Sequence, residues 1–454
     1  MKKNITVLAA IAFLFAGCLA GNSQVYNDFD LKTFLVPDIT RNALDFTLNS
    51  SGEMYDRKSS NNDSYSISGN LGTEFNRFKN SRSFWGRQNA IINLGGSYDK
   101  VTINDSKTSN YDVFFSYNNT SRFYQKDNFF LGIGGTMSTR FNGDKQVDNQ
   151  TDKRDQTDFY LSVPLSVGKG RIEVVTDARQ AIYILENLNR RGVMKRKLSN
   201  DEILTLAKVI AQVKNKRFLD SRIRMIEEIS TVDSFFVEND LLSSNGAPYF
   251  TTLYDYWMYG DRFERLSGLV IEGKLTPGFR HYYSRSHEDG DGWTGSEWKN
   301  KMNSPSIRGS VSLTYENPVN LFWQQSGYIE LYGNYSKDFY KESDFYDNNH
   351  LYGGLIGSYK WGYYPTSRTN INWGVNESIM LSRSKDDVEE AEVYSYFATN
   401  TRLFFETYYY FSPQLRLSAN AGINYTYNKG IKGWDDTGSQ FNPSFELKLT
   451  YSLF

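Results

Sequence analysis

The sequence predicts an all-β transmembrane barrel of about fourteen antiparallel strands, interrupted once by an α-helical insert. Three observations carry this. Long segments alternate apolar and polar residues, as in Phe445, Leu447, Leu449, Tyr451 and Leu453 against Glu446, Lys448, Thr450 and Ser452. The polar phase is rich in Ser, Thr, Asn and Gly, which cannot fill a soluble core. Short and long connections also follow one another in turn, the habit of membrane-spanning barrels.

The N-terminus sets the compartment. Met1-Lys2-Lys3 precedes an apolar run from Ile5 to Leu19 and the small residues around Ala20, the layout of a secretory signal peptide over 1–20. Phe15-Ala16-Gly17-Cys18 also resembles a lipobox, in which Cys18 would be acylated. Cleavage after Ala20 or near Gln24 would instead leave the mature chain without cysteine, hence without disulfide or thiol chemistry. No later run reaches the roughly 20 apolar residues of a membrane helix.

Strands follow from the period of two. They are expected near 43–57, 63–78, 87–103, 109–123, 128–142 and 156–169, then 268–287, 305–317, 324–337, 349–361, 368–383, 394–411, 415–428 and 439–454. Many exceed ten residues, against about 5–6 for soluble strands. Tyrosine hydroxyls on the apolar phase would lack partners in a closed core but suit interfacial girdles, so that phase is placed outward. Ser412-Pro413-Gln414 and Tyr364-Pro365-Thr366 read as tight turns, while 143–156, 288–304, 338–348 and 384–393 read as long polar loops.

The helical insert occupies 171–262, between a first barrel part at 25–170 and a second at 263–454. Its first helix has Thr176 as N-cap, a stripe of Ala178, Ala181, Ile182, Leu185 and Leu188, and Gly192 as stop. Ser199 with Glu202 forms a capping box before Ile203, Leu206, Ala207 and Ile210. A third stripe runs through Ile223, Ile226, Ile229, Val232 and Phe236. Tyr249/Phe250, Leu253/Tyr254 and Trp257/Met258 then recur at helical spacing, as an interfacial helix, a plug segment or a packing helix of the same bundle. The insert follows an even strand, so it lies on the side of the short turns.

The signal peptide, the amphipathic strands, the 16% aromatic content and the terminal Phe454 resemble Gram-negative outer-membrane β-barrel proteins, in a style similar to those of the Bacteroidota. Phe454 follows Leu453 and so falls out of phase with the apolar face. The resemblance implies the cell outer membrane, a periplasmic insert, outer-membrane lipid around the wall, and insertion by the barrel-assembly machinery. A periplasmic protein partner at the insert is a further expectation.

Chemistry is sparse. The net charge of -1 and the absence of a basic stripe give no footprint for nucleic acid. Of His281, His287 and His350, His350 follows Asp344, Asp347 and Asn349, so an Asp-His pair is conceivable there, but no enzyme signature accompanies it. Glu288-Asp289-Gly290-Asp291-Gly292 lacks EF-hand spacing and reads as a solvated loop, as does the run Lys385 to Glu392. Gly132-Ile133-Gly134-Gly135 lies within a strand and is no phosphate cradle. No catalytic residue, cofactor or metal is expected. Arg308, Glu330, Arg402, Glu406, Arg416, Glu446 and Lys448 share the inward phase and are the lumen-lining candidates, as a cross-strand ladder or a charge filter. The expected function is a channel or transporter for small hydrophilic solutes, with a non-conducting envelope scaffold as the alternative and a rim enzyme third.

Overall fold

The computed structural model describes residues 25–55, 63–102, 105–148, 150–215, 221–260, 262–290, 293–342, 346–386, 393–412, 415–432 and 437–451. The signal segment, Cys18 and Phe454 lie outside them.

Among the described residues, fifteen strands form one antiparallel sheet. Before the insert come β1 (Ile39–Tyr55), β2 (Ser64–Asn80), β3 (Phe84–Val101), β4 (Ser106–Tyr124), β5 (Phe129–Val147), β6 (Gln150–Ser162) and β7 (Leu165–Val174). After it come β8 (Leu266–Gly290), β9 (Trp293–Pro318), β10 (Trp323–Lys341), β11 (Asn348–Thr366), β12 (Thr369–Asp386), β13 (Val393–Tyr410), β14 (Leu415–Lys432) and β15 (Thr437–Tyr451). Each strand pairs with its sequence neighbour, except that β6 and β7 both lie between β5 and β8. They make one stave broken at Val163 and Pro164, so fifteen strands give fourteen staves. Pro164 and the facing Pro277 donate no hydrogen bond, and the chain jogs here, with the Gly134 amide donating to the Pro164 carbonyl at 2.8 Å. A side chain on Gly134 would strike that proline ring and the Asn119 carbonyl, which accounts for the small residues of the Gly132–Gly135 run. The order begins at β1 and ends at β15, and no ladder joins these two among the described residues.

The wall is polar inside and apolar outside. Leu48 on β1 is 78% exposed and Leu449 on β15 is 64% exposed, with Leu71, Leu94, Leu131, Ile271, Val311, Leu331, Leu351, Leu381 and Leu403 also on the outer register. Within the apolar stretch of that register, Glu377 on β12 is a carboxylate, and it accepts from the hydroxyls of Thr399 and Thr401, each at 2.6 Å.

The stretches 288–304 and 143–156, expected as loops, belong mostly to strands: β8 runs to Gly290 and pairs with β9 from Trp293, and β5 runs to Val147 and pairs with β6 from Gln150. Both faces of these tips are polar, so the alternation that marks a strand fades although the ladder continues. Spanning takes about 9–11 residues, and the 25 and 26 residues of β8 and β9 extend well beyond it.

The insert is a bundle of four helices: α1 (Thr176–Arg190), α2 (Asn200–Val213), α3 (Ser221–Glu238) and α4 (Ala247–Tyr259). Its core is conventional, with Ala178, Ala181, Ile182, Leu185, Leu188, Ile203, Leu206, Ala207 and Ile210 fully enclosed. Two details depart from expectation, and α4 follows one of the three expected readings, a packing helix of the same bundle. The N-cap of α1 is Val175, and the Thr176 hydroxyl accepts from the Arg265 amide at 2.9 Å. On α3, Ile226 is exposed while Glu228, Val232 and Phe236 are buried, so its inward face is rotated. α4 joins the same core through Tyr249, Leu253 and Trp257, leaving Phe250 and Tyr254 exposed. The capping box forms as read: the Ser199 side chain accepts from the Glu202 amide, and Glu202 accepts from the Ser199 amide.

The N-terminal segment 25–38 completes the bundle, adding Tyr26, Phe29, Leu31 and Phe34 to its core. Phe78 at the end of β2 and Leu321 and Phe322 in the β9–β10 turn join from the wall. The bundle therefore buries its surplus apolar surface on the turn end of the sheet, as a small domain must.

Candidate functional site

The insert is fastened to the inner register of the wall at several separated staves. Arg265, between α4 and β8, is fully buried. Its Nε donates to Gln324 Oε1 at 3.1 Å, Nη1 to the Leu321 carbonyl at 2.8 Å, and Nη2 to the carbonyls of Asn320 and Trp323 at 2.9 and 3.0 Å. Burial pulls this guanidinium down to about 10, although still charged at neutral pH. It also lies 4.7 Å from the ring centre of Tyr364, on the inner register of β11. Arg262 donates to the Tyr410 hydroxyl at 2.5 Å on β13, Phe263 packs on Tyr364 and Tyr408, and Asp255 of α4 pairs with Arg368 in the β11–β12 turn.

On the opposite flank, Arg82 in the β2–β3 turn pairs with Glu173 at 2.9 Å and donates to the Val36 carbonyl at 2.7 Å, while Arg171 donates to Asn80 at 2.5 Å. Arg41 on β1 reaches Asn215 after α2 at 2.5 Å. Contacts on β1, β2, β10, β11 and β13 from one bundle mean that it lies across the mouth of the polar interior.

Between bundle and wall remains a cavity of about 460 Å³, lined by Arg262 and Phe263 from the insert side and by Asn370, Asn372, Glu406 and Tyr408 from the wall. One cation, one carboxylate, amides and a phenol facing one space suit a small hydrogen-bonding solute.

The lumen candidates divide. Arg308 and Glu330 form an ion pair at 3.1 Å, and Glu330 also accepts from the Tyr328 hydroxyl at 2.8 Å. Glu406 faces the cavity. Glu446 accepts from Asn420 at 3.4 Å, Arg402 stands opposite Asn376 and Asn424, Arg416 opposite Tyr410, and Lys448 opposite Ser418. Among the described residues, Arg308–Glu330 is the one ion pair within this set, so these side chains do not form a continuous ladder. Inner pairs that sequence reasoning missed are Arg122–Glu272 at 2.7 Å, Arg140–Asp112 at 2.5 Å and Arg280–Asp158 at 2.6 Å.

A second cluster lies toward the hairpin tips. His350 Nε2 is 3.1 Å from Asp338 Oδ2, its Nδ1 is 2.6 Å from Ser384 Oγ, and Ser304 bonds the same Asp338. The partner is therefore Asp338. Asp344 lies outside the described residues, and Asp347 accepts from the Tyr340 amide instead. Register would have found the cluster: Ser336 opposes His350, and His350 opposes Ser384, on consecutive strands. An Nε2–H donated to Asp338 leaves Nδ1 to accept from Ser384, the order of a nucleophile, base and carboxylate. Ser384 and His350 sit within paired strands, whose ladders engage the backbone amides that an oxyanion would need. The geometry orients the imidazole in the inner wall. His281, by contrast, is on the outer register with Leu275 and Phe279, and its Nδ1 lies 2.8 Å from Asn303 Oδ1. Glu288 and Asp289 are exposed strand residues, and Asp291 lies outside the described residues.

No family model matches the sequence, and no curated protein matches it. Among solved structures, the chain is similar to the translocator domain of autotransporter NalP from Neisseria meningitidis, at 8% identity over 90% of this chain and 96% of that one, with a TM-score of 0.28. It is also similar to the ferric yersiniabactin uptake receptor FyuA from Yersinia pestis, at 7% identity over 88% of this chain and 61% of that one, TM-score 0.39. A third is the outer membrane protein OmpT of Vibrio cholerae, at 10% identity over 90% and 97% of the two chains, TM-score 0.24.

Proposed function

We propose that this protein is an outer-membrane barrel that passes small hydrophilic solutes and is closed at its periplasmic mouth by the helical insert. The observation that carries this reading is the seating of Arg262, Phe263 and Arg265 on the inner-register residues Tyr410, Tyr364 and Gln324, with a polar cavity left beneath. Lipid surrounds the outer register, and the barrel-assembly machinery inserts the wall. The insert faces the periplasm because it shares an end with the short turns. The reading includes no chemical step.

Recruitment of a periplasmic protein partner by the insert has its own support in the exposed apolar side chains Ile226, Val237, Phe250 and Tyr254, which the bundle leaves uncovered. Such a scaffold need not conduct.

Planar-bilayer recordings separate the two. The gated reading expects a closed or small-conductance full-length chain, and an open channel once 175–264 is replaced by a short linker. A deleted form that still folds, shown by heat-modifiable migration, yet passes no current would leave the scaffold.

A further inference from the structure

On the outer register of β2, β3 and β4, close to the turns, a groove of about 600 Å³ is lined by Arg77, Lys79, Phe84, Gly86, Ser121 and Phe123. Register explains it. Lys79, Gly86 and Ser121 form one transverse row, with Arg77 and Gln88 in the next and Phe84 opposite Phe123 at the edge. Gly86 supplies the floor: a Cβ there would come within 2.6 Å of the Phe84 ring. Phe84 and Phe123 meet edge to face at 5.3 Å, and Lys79 Nζ lies 5.6 Å from the Phe84 ring centre.

Two features give the groove its chemistry. Neither Arg77 nor Lys79 has a carboxylate partner among the described residues, so two cations stand together over an aromatic floor. The turn end elsewhere is marked by an aromatic cluster on the same register, with Trp323 packed on Trp361, Tyr363 and Trp373. Tryptophan and tyrosine gather at the headgroup level of a bilayer. The groove lies at the corresponding end of its own strands, where headgroup phosphates meet acyl chains.

From this we propose that the groove binds an anionic glycerophospholipid of the inner leaflet. Arg77 and Lys79 hold the phosphodiester, the planar guanidinium by paired hydrogen bonds and the ammonium as a point charge. The acyl chains run from Arg77 over the next row, Phe75 and Ala90, toward the apolar band, while Phe84 and Phe123 close the turn side of the headgroup. A free phosphate would use the same cations but gain nothing from the apolar row at Phe75 and Ala90. The inference rests on the wall facing lipid, as proposed above.

The test reconstitutes the full chain in nanodiscs of phosphatidylglycerol or phosphatidylcholine, transfers it to mild detergent, and counts retained lipid by native mass spectrometry. The wild type is expected to keep phosphatidylglycerol and not phosphatidylcholine. The R77Q/K79Q double variant should lose about tenfold or more of that retention. K169Q, which removes a cation on the outer register of β7, should keep it. Equal retention by the double variant overturns the proposal, and so does displacement of the lipid by millimolar inorganic phosphate, which would make this a phosphate site. A wild type that folds in detergent but retains neither lipid defeats the groove alone, whereas one that stays soluble without detergent defeats the membrane reading beneath it.

Discussion

The wall and the insert use the same residue types in opposite directions. In the insert, Leu185 and Ile182 are completely enclosed, while in the wall Leu48, Leu331 and Leu449 point outward and are more than half exposed. Water surrounds the insert and drives its apolar stripe inward. On the proposed function, hydrocarbon surrounds the wall and is as apolar as its outer side chains, and the hydroxyls and amides turn to the interior. The strands close their backbone hydrogen bonds laterally and the helices within themselves, so each region meets its own solvent without stranded amides. Truncating a core residue should therefore hurt one region far more than the other.

The largest effect falls in the insert. Leu185→Ala should destabilise the bundle by about 2–5 kcal/mol, read as accelerated proteolysis within the insert while the wall keeps its heat-modifiable migration. Leu449→Ala, an outward position, should leave both readouts near wild type. Equal losses would mean that the two leucines meet the same surroundings.

Charge sharpens the contrast from the other side. Ile329→Arg, on the outer register of β10, should cost about 2–4 kcal/mol if it lies near mid-bilayer, measured by urea titration of the folded wall in lipid vesicles. Tyr328→Arg, next along the chain but on the inner register, should cost clearly less.

A pH effect of similar or smaller size is confined to the insert. Burial raises Glu186 from the ordinary carboxylate value to about 7. Its folded form then binds a proton that the unfolded form releases between about 4.5 and 7. Stability from the neutral acid is complete below that window and is lost as pH rises through it, by on the order of 3 kcal/mol. Glu186→Gln should flatten that part of the proteolysis profile. An unchanged slope would remove Glu186 as its source. Glu202 acts in the reverse sense. Its hydrogen bonds to Arg196 and to the Ser199 amide hold it down to about 2, so its contribution is present above the ordinary carboxylate value and fades only in strong acid. The smallest expected effect is at the same cap, where Ser199→Ala should cost about 1 kcal/mol with no change in the wall.

The same contrast governs how much the sequence reveals. Fourteen staves were legible because one face is apolar and exposed and the other polar, which imprints a period of two from Leu44 to Leu449. At the tips of β5–β6, β8–β9 and β10, where both faces are polar, that imprint is missing, and Asp338 was assigned to a loop when it lies on β10 and its side chain meets His350 of the neighbouring strand. The break at Pro164 left no gap in the alternation, since Leu161, Val163, Leu165 and Val167 keep their phase across it. In the insert, the stripes of α1 and α2 and the capping box were plain, but α3 carries apolar residues on more than one face and Ile226 was wrongly turned inward. The cavity was the least legible part. Glu406 was found by its phase, yet Arg262 and Phe263 sit in a connection with no periodicity, and nothing local says that Arg265 reaches the β9–β10 turn.

The measurement that bears most directly on the inside-out wall is cysteine scanning of β10 from Gly327 to Tyr332 in nanodiscs, labelled with a water-soluble maleimide. Cys18 is the one cysteine of the sequence and lies far from β10 along the chain, so a Cys18→Ser background serves for the scan. Labelling should alternate, fast at Tyr328, Glu330 and Tyr332 and slow at Ile329 and Leu331. The opposite phase, or equal rates at every position, would contradict an oily exterior around a watery interior.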